Sequence, residues 1–216
     1  MSTARGTILD TIRGLTKRRD PEAIAAEAAT LVANPDQTRP MLSLPDLVDA
    51  FTSQITSVRL GATLDRCATL AELPQAVARY LDAHALRPSI ALQPKPALQA
   101  LDWGGIETHT AIAADEPVGV GLARWAIAEA GSLVFHSGPH SPTLLSFLPL
   151  HHLVAVRADM IVSHMEDYLA AFAGTGEPQP RAIHLITGAS GTTDIEGSYV
   201  RGAHGPRYLH VVLVRA

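Results

Sequence analysis

A carboxylate on a turn is the first side chain in this sequence that could do chemistry. Glu129 lies in the stretch AIAEAGSLVF, where Gly131 and Ser132 come just before an apolar run. A glutamate there can act as a nucleophile or general base, while neighbouring backbone N–H groups stabilise a developing oxyanion. The alternative is an ordinary turn glutamate or a helix cap. We therefore treat Glu129 as a candidate catalytic residue and Ser132 as a candidate substrate contact.

A Gly/Ser/Thr-rich loop is the second candidate, because it can present many hydrogen-bond donors to a ligand. It follows an apolar run in the stretch LITGASGTTDIE. Backbone N–H and hydroxyl groups in such a loop can bind a carboxylate, a phosphate or a nucleotide. The commoner use of this composition is a turn that caps the next segment. The candidate substrate-binding residues are Ser190, Thr192, Thr193, Asp194 and Glu196.

A histidine at the tip of a tight turn is the third candidate. His204 precedes Gly205 and Pro206 in the stretch GAHGPRYLHVVLV. Its imidazole can serve as an acid–base group or an anion-binding donor, or it can simply hydrogen-bond a backbone carbonyl. The other histidines show no HExxH or comparable spacing, so the sequence predicts no metal site. We predict that Glu129, residues 190–194 and His204 line one cleft at one edge of a sheet.

Composition excludes several classes of protein. The 216 residues are 47% hydrophobic and 18% charged, with a formal net charge of −4. This composition is typical of a globular chain and lacks the basic excess of proteins that bind nucleic acid. No apolar run approaches the roughly 18 residues of a membrane span, and the start of the sequence lacks the pattern of a signal peptide. We therefore expect a cytoplasmic protein that contacts neither nucleic acid nor a membrane.

The numbers and positions of cysteine and lysine exclude several kinds of cofactor and metal site. Cys67 is the only cysteine, which excludes an internal disulfide, a four-cysteine zinc site and a self-contained iron–sulfur cluster. Neither of the two lysines, Lys17 and Lys95, follows a glycine-rich loop, so the sequence has no phosphate-binding P-loop. A single GxG at Gly119 and Gly121 is too short for a dinucleotide-binding fingerprint. We expect no cofactor in this chain.

Two parts are predicted from the order of the apolar patterns: an N-terminal helical arm, residues 1–45, and an α/β domain, residues 46–216. In the arm, residues 3–33 have the pattern of two helices. The second is predicted to end at Asn34-Pro35, because the residue before a proline is disfavoured in a helix. The face expected to pack against the body or a partner chain contains Ile8, Ile12 and Leu15.

The domain is predicted to alternate between strands and helices. The predicted strands are residues 89–92, 133–135, 153–156, 182–186 and 209–214. The predicted helices are residues 74–84, 121–128 and 159–173. This alternation favours an α/β fold with a mainly parallel sheet covered on both faces. Ligands in such folds bind beyond the carboxyl ends of the strands.

Four stretches in the second half of the chain resemble one family. They are VGVGLARWAIAEAGSLVF, SGPHSPTLLSFLPLHHLVAV, ITGASGTTDIE and GAHGPRYLHVVLV. Together they resemble the LUD domain of the lactate-utilisation protein C family over residues 118–214. The resemblance implies a three-layer α/β/α fold of the kind shared by sugar-phosphate isomerases and CoA transferases. It also implies a role in oxidising L-lactate to pyruvate, together with partner subunits that carry iron–sulfur clusters.

The sequence departs from the usual pattern of that family at four positions. The family usually has threonine at the positions of Gly121 and Ala130, proline at Ala189 and a basic residue at Gly191. The last difference removes a positive charge from the Gly/Ser/Thr-rich loop, and with it an interaction that would favour an anion.

Residues and resemblance together predict a non-redox subunit of a lactate-oxidising complex with a pocket for a small carboxylic acid. The expected partners are the iron–sulfur subunits and the small acid, and a homo-oligomer is left open. One alternative is a free-standing CoA-transferase-like or isomerase-like enzyme that uses Glu129. Another is an assembly factor without chemistry. The sequence contains no complete catalytic motif, and one fold hosts many unrelated activities, so the fold does not choose between these.

Overall fold

The structure is a computed structural model in which residues 3–15, 19–33 and 39–215 are described. Lys17 and the predicted helix end at Asn34-Pro35 lie outside these ranges. The chain divides into two compact units, Met1–Pro40 and Met41–Ala216.

The first unit contains two helices, α1 (Ala4–Leu15) and α2 (Pro21–Ala33). Helix α1 was predicted from the spacing of its apolar residues, and α2 from Asp20 and Pro21 at its start. Helix α2 begins after Asp20, whose carboxylate accepts a hydrogen bond from the Glu22 N–H at 3.1 Å. This side chain therefore satisfies one of the N–H groups that the first turn of a helix leaves unpaired.

The second unit contains the remaining helices and the strands. Its helices are α3 (Leu47–Ile55), α4 (Leu73–Ala83), α5 (Pro96–Gln99) and α6 (Met165–Gly174). Its strands are β1 (Thr63–Cys67), β2 (Ser89–Leu92), β3 (Glu107–His109), β4 (Val118–Leu122), β5 (Trp125–Ile127), β6 (Ser132–His136), β7 (His151–Arg157), β8 (Ile161–Val162), β9 (Ile183–Ile186), β10 (Gly191–Thr192), β11 (Val200–Arg201) and β12 (Tyr208–Val214).

The main sheet has six strands in the order β1-β12-β7-β4-β2-β3, and every neighbouring pair is parallel. Its amino edge and its carboxyl edge are therefore the same for all six strands. This confirms the prediction of an α/β fold with a mainly parallel sheet.

Alternate side chains along β7 face opposite sides of the main sheet, as the two-residue period of a strand requires. Leu153 and Ala155 pack with residues of α4 and α5 on one side. Val154 and Val156 pack on the other side, against α3 and a small four-stranded sheet of order β8-β5-β6-β9. Helix α6 covers the outer face of that small sheet through Tyr168.

Two helix predictions need correction. Residues 121–128 were expected to form a helix, but residues 121–122 end β4 and residues 125–127 form β5. Their side chains are buried almost throughout, which removes the polar alternation that distinguishes a half-buried strand. The helix expected over 159–173 begins only at Met165, because Ile161–Val162 pairs with β5 as a strand and His164 is still extended, with φ of −130°.

Candidate functional site

A cavity of about 270 Å³ lies at the amino edge of the main sheet, where β7 and β12 begin. We call it the histidine cavity. Among the residues that line it are Phe147, His152, Thr187, Ser190, His204 and Pro206. It thus brings together one part of the Gly/Ser/Thr-rich loop and the His204 turn.

His152 is the most deeply buried polar residue of this cavity. It is the second residue of β7, paired with Gly119 on one side and Leu209 on the other. Its exposed fraction is 0%, and neither ring nitrogen has a hydrogen-bond partner among the described residues. Burial lowers the pKa of His152 from 6.5 to about 4. The ring is therefore neutral near pH 7, with one N–H donor and one acceptor nitrogen.

Backbone hydrogen bonds fix the loop that forms one wall of the cavity. The Ala189 N–H donates to the Leu60 carbonyl at 3.0 Å, and the Ser190 N–H donates to the Pro206 carbonyl at 2.9 Å. Gly188 has φ of +90°, and a Cβ there would lie 2.7 Å from the Leu60 carbonyl oxygen. Glycine is therefore required both by its conformation and by the close approach. These two N–H groups are therefore already paired within the protein.

Ser132 does not line the histidine cavity itself, but it contacts Thr187, which does. It is buried at the start of β6, and its Oγ lies 2.6 Å from the Oγ1 of Thr187. Thr187 lines the cavity and Ser132 does not. The structure therefore places Ser132 where it can orient the Thr187 hydroxyl.

Glu129 is not among the residues that line the histidine cavity. Its carboxylate accepts a hydrogen bond from the Met165 N–H at 3.2 Å, and its Oε2 lies 4.0 Å from the Nε2 of His164. A carboxylate at that position interacts favourably with the positive end of α6. The expected single cleft therefore contains Ser190 and His204 without Glu129. The catalytic role of Glu129 remains a prediction, and the helix cap that the sequence left as its alternative is the contact observed.

The rest of the Gly/Ser/Thr-rich loop, residues 191–196, does not line the cavity. Thr192 pairs with Val200 between β10 and β11, and its Oγ1 accepts a hydrogen bond from the Asp194 N–H at 3.2 Å. Thr193, Asp194 and Glu196 are exposed and do not line the histidine cavity. This is the local turn that the composition also favoured.

Gly191 has a packing role in this loop. A Cβ at this position would lie 2.2 Å from the hydroxyl oxygen of Tyr199. Tyr199 therefore occupies the space into which a basic side chain would extend.

The family model of the LUD domain matches residues 59–214. The chain belongs to the LUD domain family. Lactate utilization protein C of Deinococcus radiodurans is 36% identical over 90 residues, which are 41% of this chain and 42% of that protein. Lactate utilization protein C of Exiguobacterium sp. is 32% identical over 122 residues, or 54% of this chain and 53% of that protein.

A third relative, the uncharacterized protein YkgG of Escherichia coli, is 37% identical over 92 residues, or 41% of this chain and 40% of that protein. This chain therefore spans about half, or less, of the curated relatives it matches. A crystal structure of a DUF162 family protein from Deinococcus radiodurans has a TM-score of 0.54 and 24% identity, and the match covers 81% of this chain and 99% of that one. That likeness supports the fold.

Sequence reasoning did not single out His152 as a residue of this cavity. The signal was present: two adjacent histidines interrupt the apolar run LPLHHLVAV. Successive strand residues face opposite sides, so His151 contacts the Tyr80 hydroxyl on the α4 side while His152 borders the cavity. Which of the two faces a ligand depends on the strand register, and that is not contained in the local sequence.

Residues 3–15, 19–33 and 39–215 contain neither a cluster of metal ligands nor a membrane-spanning helix. No group of three or more His, Cys, Asp or Glu side chains there has a geometry that could hold a metal ion.

None of the helices found in those ranges is both long and apolar enough to cross a bilayer.

Proposed function

We propose that this LUD-domain protein is a non-redox component of a system that oxidises L-lactate to pyruvate. The observation that carries the proposal is the family match over residues 59–214, together with curated relatives named lactate utilization protein C. The redox steps would belong to partner subunits with iron–sulfur clusters. The expected cytoplasmic location remains a prediction.

We further propose that the histidine cavity binds a small carboxylic acid. The hydroxyls of Ser190 and Thr187 border it and can donate to a carboxylate. The neutral ring of His152 offers a donor and an acceptor. This suits a 2-hydroxy acid, whose hydroxyl can donate and whose carboxylate accepts, while a 2-oxo acid would use the ring N–H alone. His204 is exposed at the same cavity and can contribute an additional imidazole contact.

Calorimetry with L-lactate and pyruvate tests the pocket. Ser190→Ala should weaken binding, because it removes a hydroxyl that lines the cavity while leaving the two backbone hydrogen bonds of Ser190 in place. Thr193→Ala is the matched control, since Thr193 lies on the same loop but is exposed outside the cavity. Equal affinity of the wild-type protein and Ser190→Ala would contradict the pocket assignment.

Growth on L-lactate as the sole carbon source tests the role. Deletion of the gene should abolish that growth, and the wild-type gene should restore it. Unimpaired growth of the deletion strain would reject a role in lactate oxidation. In the same complementation assay, loss of function by Glu129→Gln while the variant protein remains folded would favour the alternative of a free-standing CoA-transferase-like or isomerase-like enzyme.

The helical arm is the proposed contact with a partner chain. Ile8, Ile12 and Leu15 on α1 are 61%, 51% and 81% exposed. Short amphipathic helices are marginal alone in water, so packing against another surface must stabilise this one. Removal of residues 1–40 should reduce co-purification with the iron–sulfur subunits, and unchanged recovery would contradict the docking role.

A further inference from the structure

A second cavity, of about 390 Å³, lies beyond the carboxyl ends of β2 and β4. We call it the basic cavity. Among the residues that line it are Gln93, Lys95, Arg124, His136, His140 and Glu177. Because the main sheet is parallel throughout, this cavity and the histidine cavity are at opposite edges of the sheet.

The basic cavity lies where the strand order of the main sheet reverses. From β2 the chain continues outward to the edge strand β3, whereas from β4 it continues through the small sheet to β7 on the other side. Strands β2 and β4 are neighbours, so their connections leave in opposite directions. In open parallel sheets this topological switch point opens a crevice at the carboxyl ends, and ligands bind there.

Two cations converge on this crevice from the two strand ends. Lys95 follows β2, and its Nζ lies 3.4 Å from the Leu122 carbonyl oxygen at the end of β4. Burial and the nearby Arg124 lower the pKa of Lys95. A partly buried ammonium beside a second cation is poorly stabilised by its surroundings, and a bound anion would relieve that cost.

Gln93 supplies a buried polar group without a partner. Its exposed fraction is 1%, and its Oε1 accepts a hydrogen bond from the Leu122 N–H at 2.7 Å. Its Nε2 has no hydrogen-bond partner among the described residues. Buried amide donors are nearly always paired, by protein, water or ligand. The unpaired Gln93 amide therefore points to a ligand, and it does so independently of the two cations.

The charges around the cavity leave room for an anion. Arg124 forms a two-point ion pair with Glu177, which is the carboxylate of the lining. The ring of His136 contacts the Tyr168 hydroxyl at 2.7 Å, and the Nδ1 of His140 donates to the Pro94 carbonyl at 2.8 Å. Glu177 therefore compensates Arg124, and the charge of Lys95 remains without a carboxylate partner in this lining.

We propose that the basic cavity binds a small organic anion whose carboxylate or phosphate group lies between the Lys95 ammonium and the Gln93 amide. Arg124 adds positive potential without giving up its pair with Glu177. A cavity of this size is within the range of small-molecule sites. The site is separate from the histidine cavity, so this inference does not depend on the proposed function.

Calorimetric titration with inorganic phosphate and with malonate tests the site and separates the two anion types. Lys95→Met should weaken binding of the preferred probe by about tenfold or more, because it removes a charge-assisted hydrogen bond. Arg87→Gln is the matched control: it removes one positive charge from an exposed position before β2, at the opposite edge. Equal weakening by both variants, or no binding of either probe at millimolar concentration, would overturn the proposal.

Glu177→Gln provides a test in the opposite direction. It removes the only negative charge among the lining residues named above, so binding should tighten by about threefold or more. An unchanged or weaker affinity would count against the proposed position of the anion. If L-lactate binds and Lys95→Met abolishes its binding, the basic cavity is confirmed as the anion site, and the assignment of lactate to the histidine cavity is wrong.

Lysine-specific labelling tests the same contact without a substitution in the measured protein. The sequence has only Lys17 and Lys95, so 13Cε-lysine labelling gives two signals, which Lys95→Met assigns. The preferred probe should shift the Lys95 signal and leave the Lys17 signal in place. Equal shifts of both signals would overturn the proposed site.

Discussion

Replacing His152 by leucine should make the protein more stable at neutral pH. The substitution removes two buried ring nitrogens that have no partner in the described structure and keeps a side chain of similar size. A buried polar group without a hydrogen bond costs about 1–3 kcal/mol, while an apolar replacement of similar volume costs less than about 1.5 kcal/mol. We expect a net gain of roughly 1–2 kcal/mol, or a rise of about 2–8 °C in Tm.

The pH dependence of that gain identifies its cause. The pKa of His152 is 6.5 when unfolded and about 4 when folded, so the unfolded chain takes up a proton first as the pH falls. The stability that depends on neutral His152 is thus present above pH 6.5 and is lost as the pH falls toward 4. Between about pH 7 and about pH 5 this loss amounts to about 2 kcal/mol. His210, whose pKa is also lowered to about 4 by burial, contributes in both proteins and cancels in their difference.

Urea unfolding of wild-type protein and His152→Leu at the two pH values measures this difference. The stability advantage of His152→Leu should grow by about 2 kcal/mol on acidification. Thr187→Val, in the same cavity, changes no titratable group and should keep the wild-type pH dependence. The reasoning is refuted if His152→Leu and the wild-type protein lose the same stability between the two pH values.

Three further substitutions test a backbone conformation, a helix cap and a packing contact in or near the site. Gly188→Ala should destabilise the protein by about 1–3 kcal/mol in urea unfolding, because φ is +90° and a backbone oxygen lies 2.7 Å from the added Cβ; Gly176→Ala, with φ of +67° and open space, should cost less. Glu129→Gln should lower the free energy of unfolding by about 0.5–1 kcal/mol and leave small-acid affinity unchanged, which calorimetry would show. Gly191→Lys should displace Tyr199, seen as a change in tyrosine fluorescence or in a crystal structure, and a Tyr199 ring that stays in place would contradict the packing assignment.

Elements that the local sequence marks with a turn, a cap or a regular apolar spacing could be predicted. Strand β12 was recognised because a tight turn precedes an apolar run, and α2 because Asp20 and Pro21 mark a helix start. The prediction of a helix from Gly121 to Ala128 was wrong for a physical reason. The segment is buried on both sides. At Gly121 the Phe135 ring packs so closely that a Cβ atom there would lie 3.3 Å from it. Such a run carries neither the period of a strand nor that of a helix.

The candidate site was predictable only in part, for a related reason. Ser190 and His204 were found because they lie on turns, where polar residues stand out from the flanking apolar runs. His152 and Gln93 lie in or directly after buried strands, and their importance follows from burial without a partner, which only the packed structure reveals. Lys95 lies between two prolines and follows no glycine-rich loop, so its local sequence does not indicate a ligand site. Only the order of the strands places it at a ligand crevice.

The parallel arrangement of the main sheet gives the two cavities different chemistry. Parallel strands collect the loops that enter them at one edge and the loops that leave them at the other. At the entry edge, His152, Ser190 and His204 meet without a lysine or arginine in the lining, so a ligand there must be held by neutral dipoles and imidazole. At the exit edge, Lys95 and Arg124 meet, so a ligand there must be negatively charged.

Strand β7, which runs between the two edges, has seven residues and is about 20 Å long. Substitutions that far apart, with no shared partners, are normally additive. Ligand binding at the two edges can therefore be assigned separately, and failure of either proposal would leave the other standing.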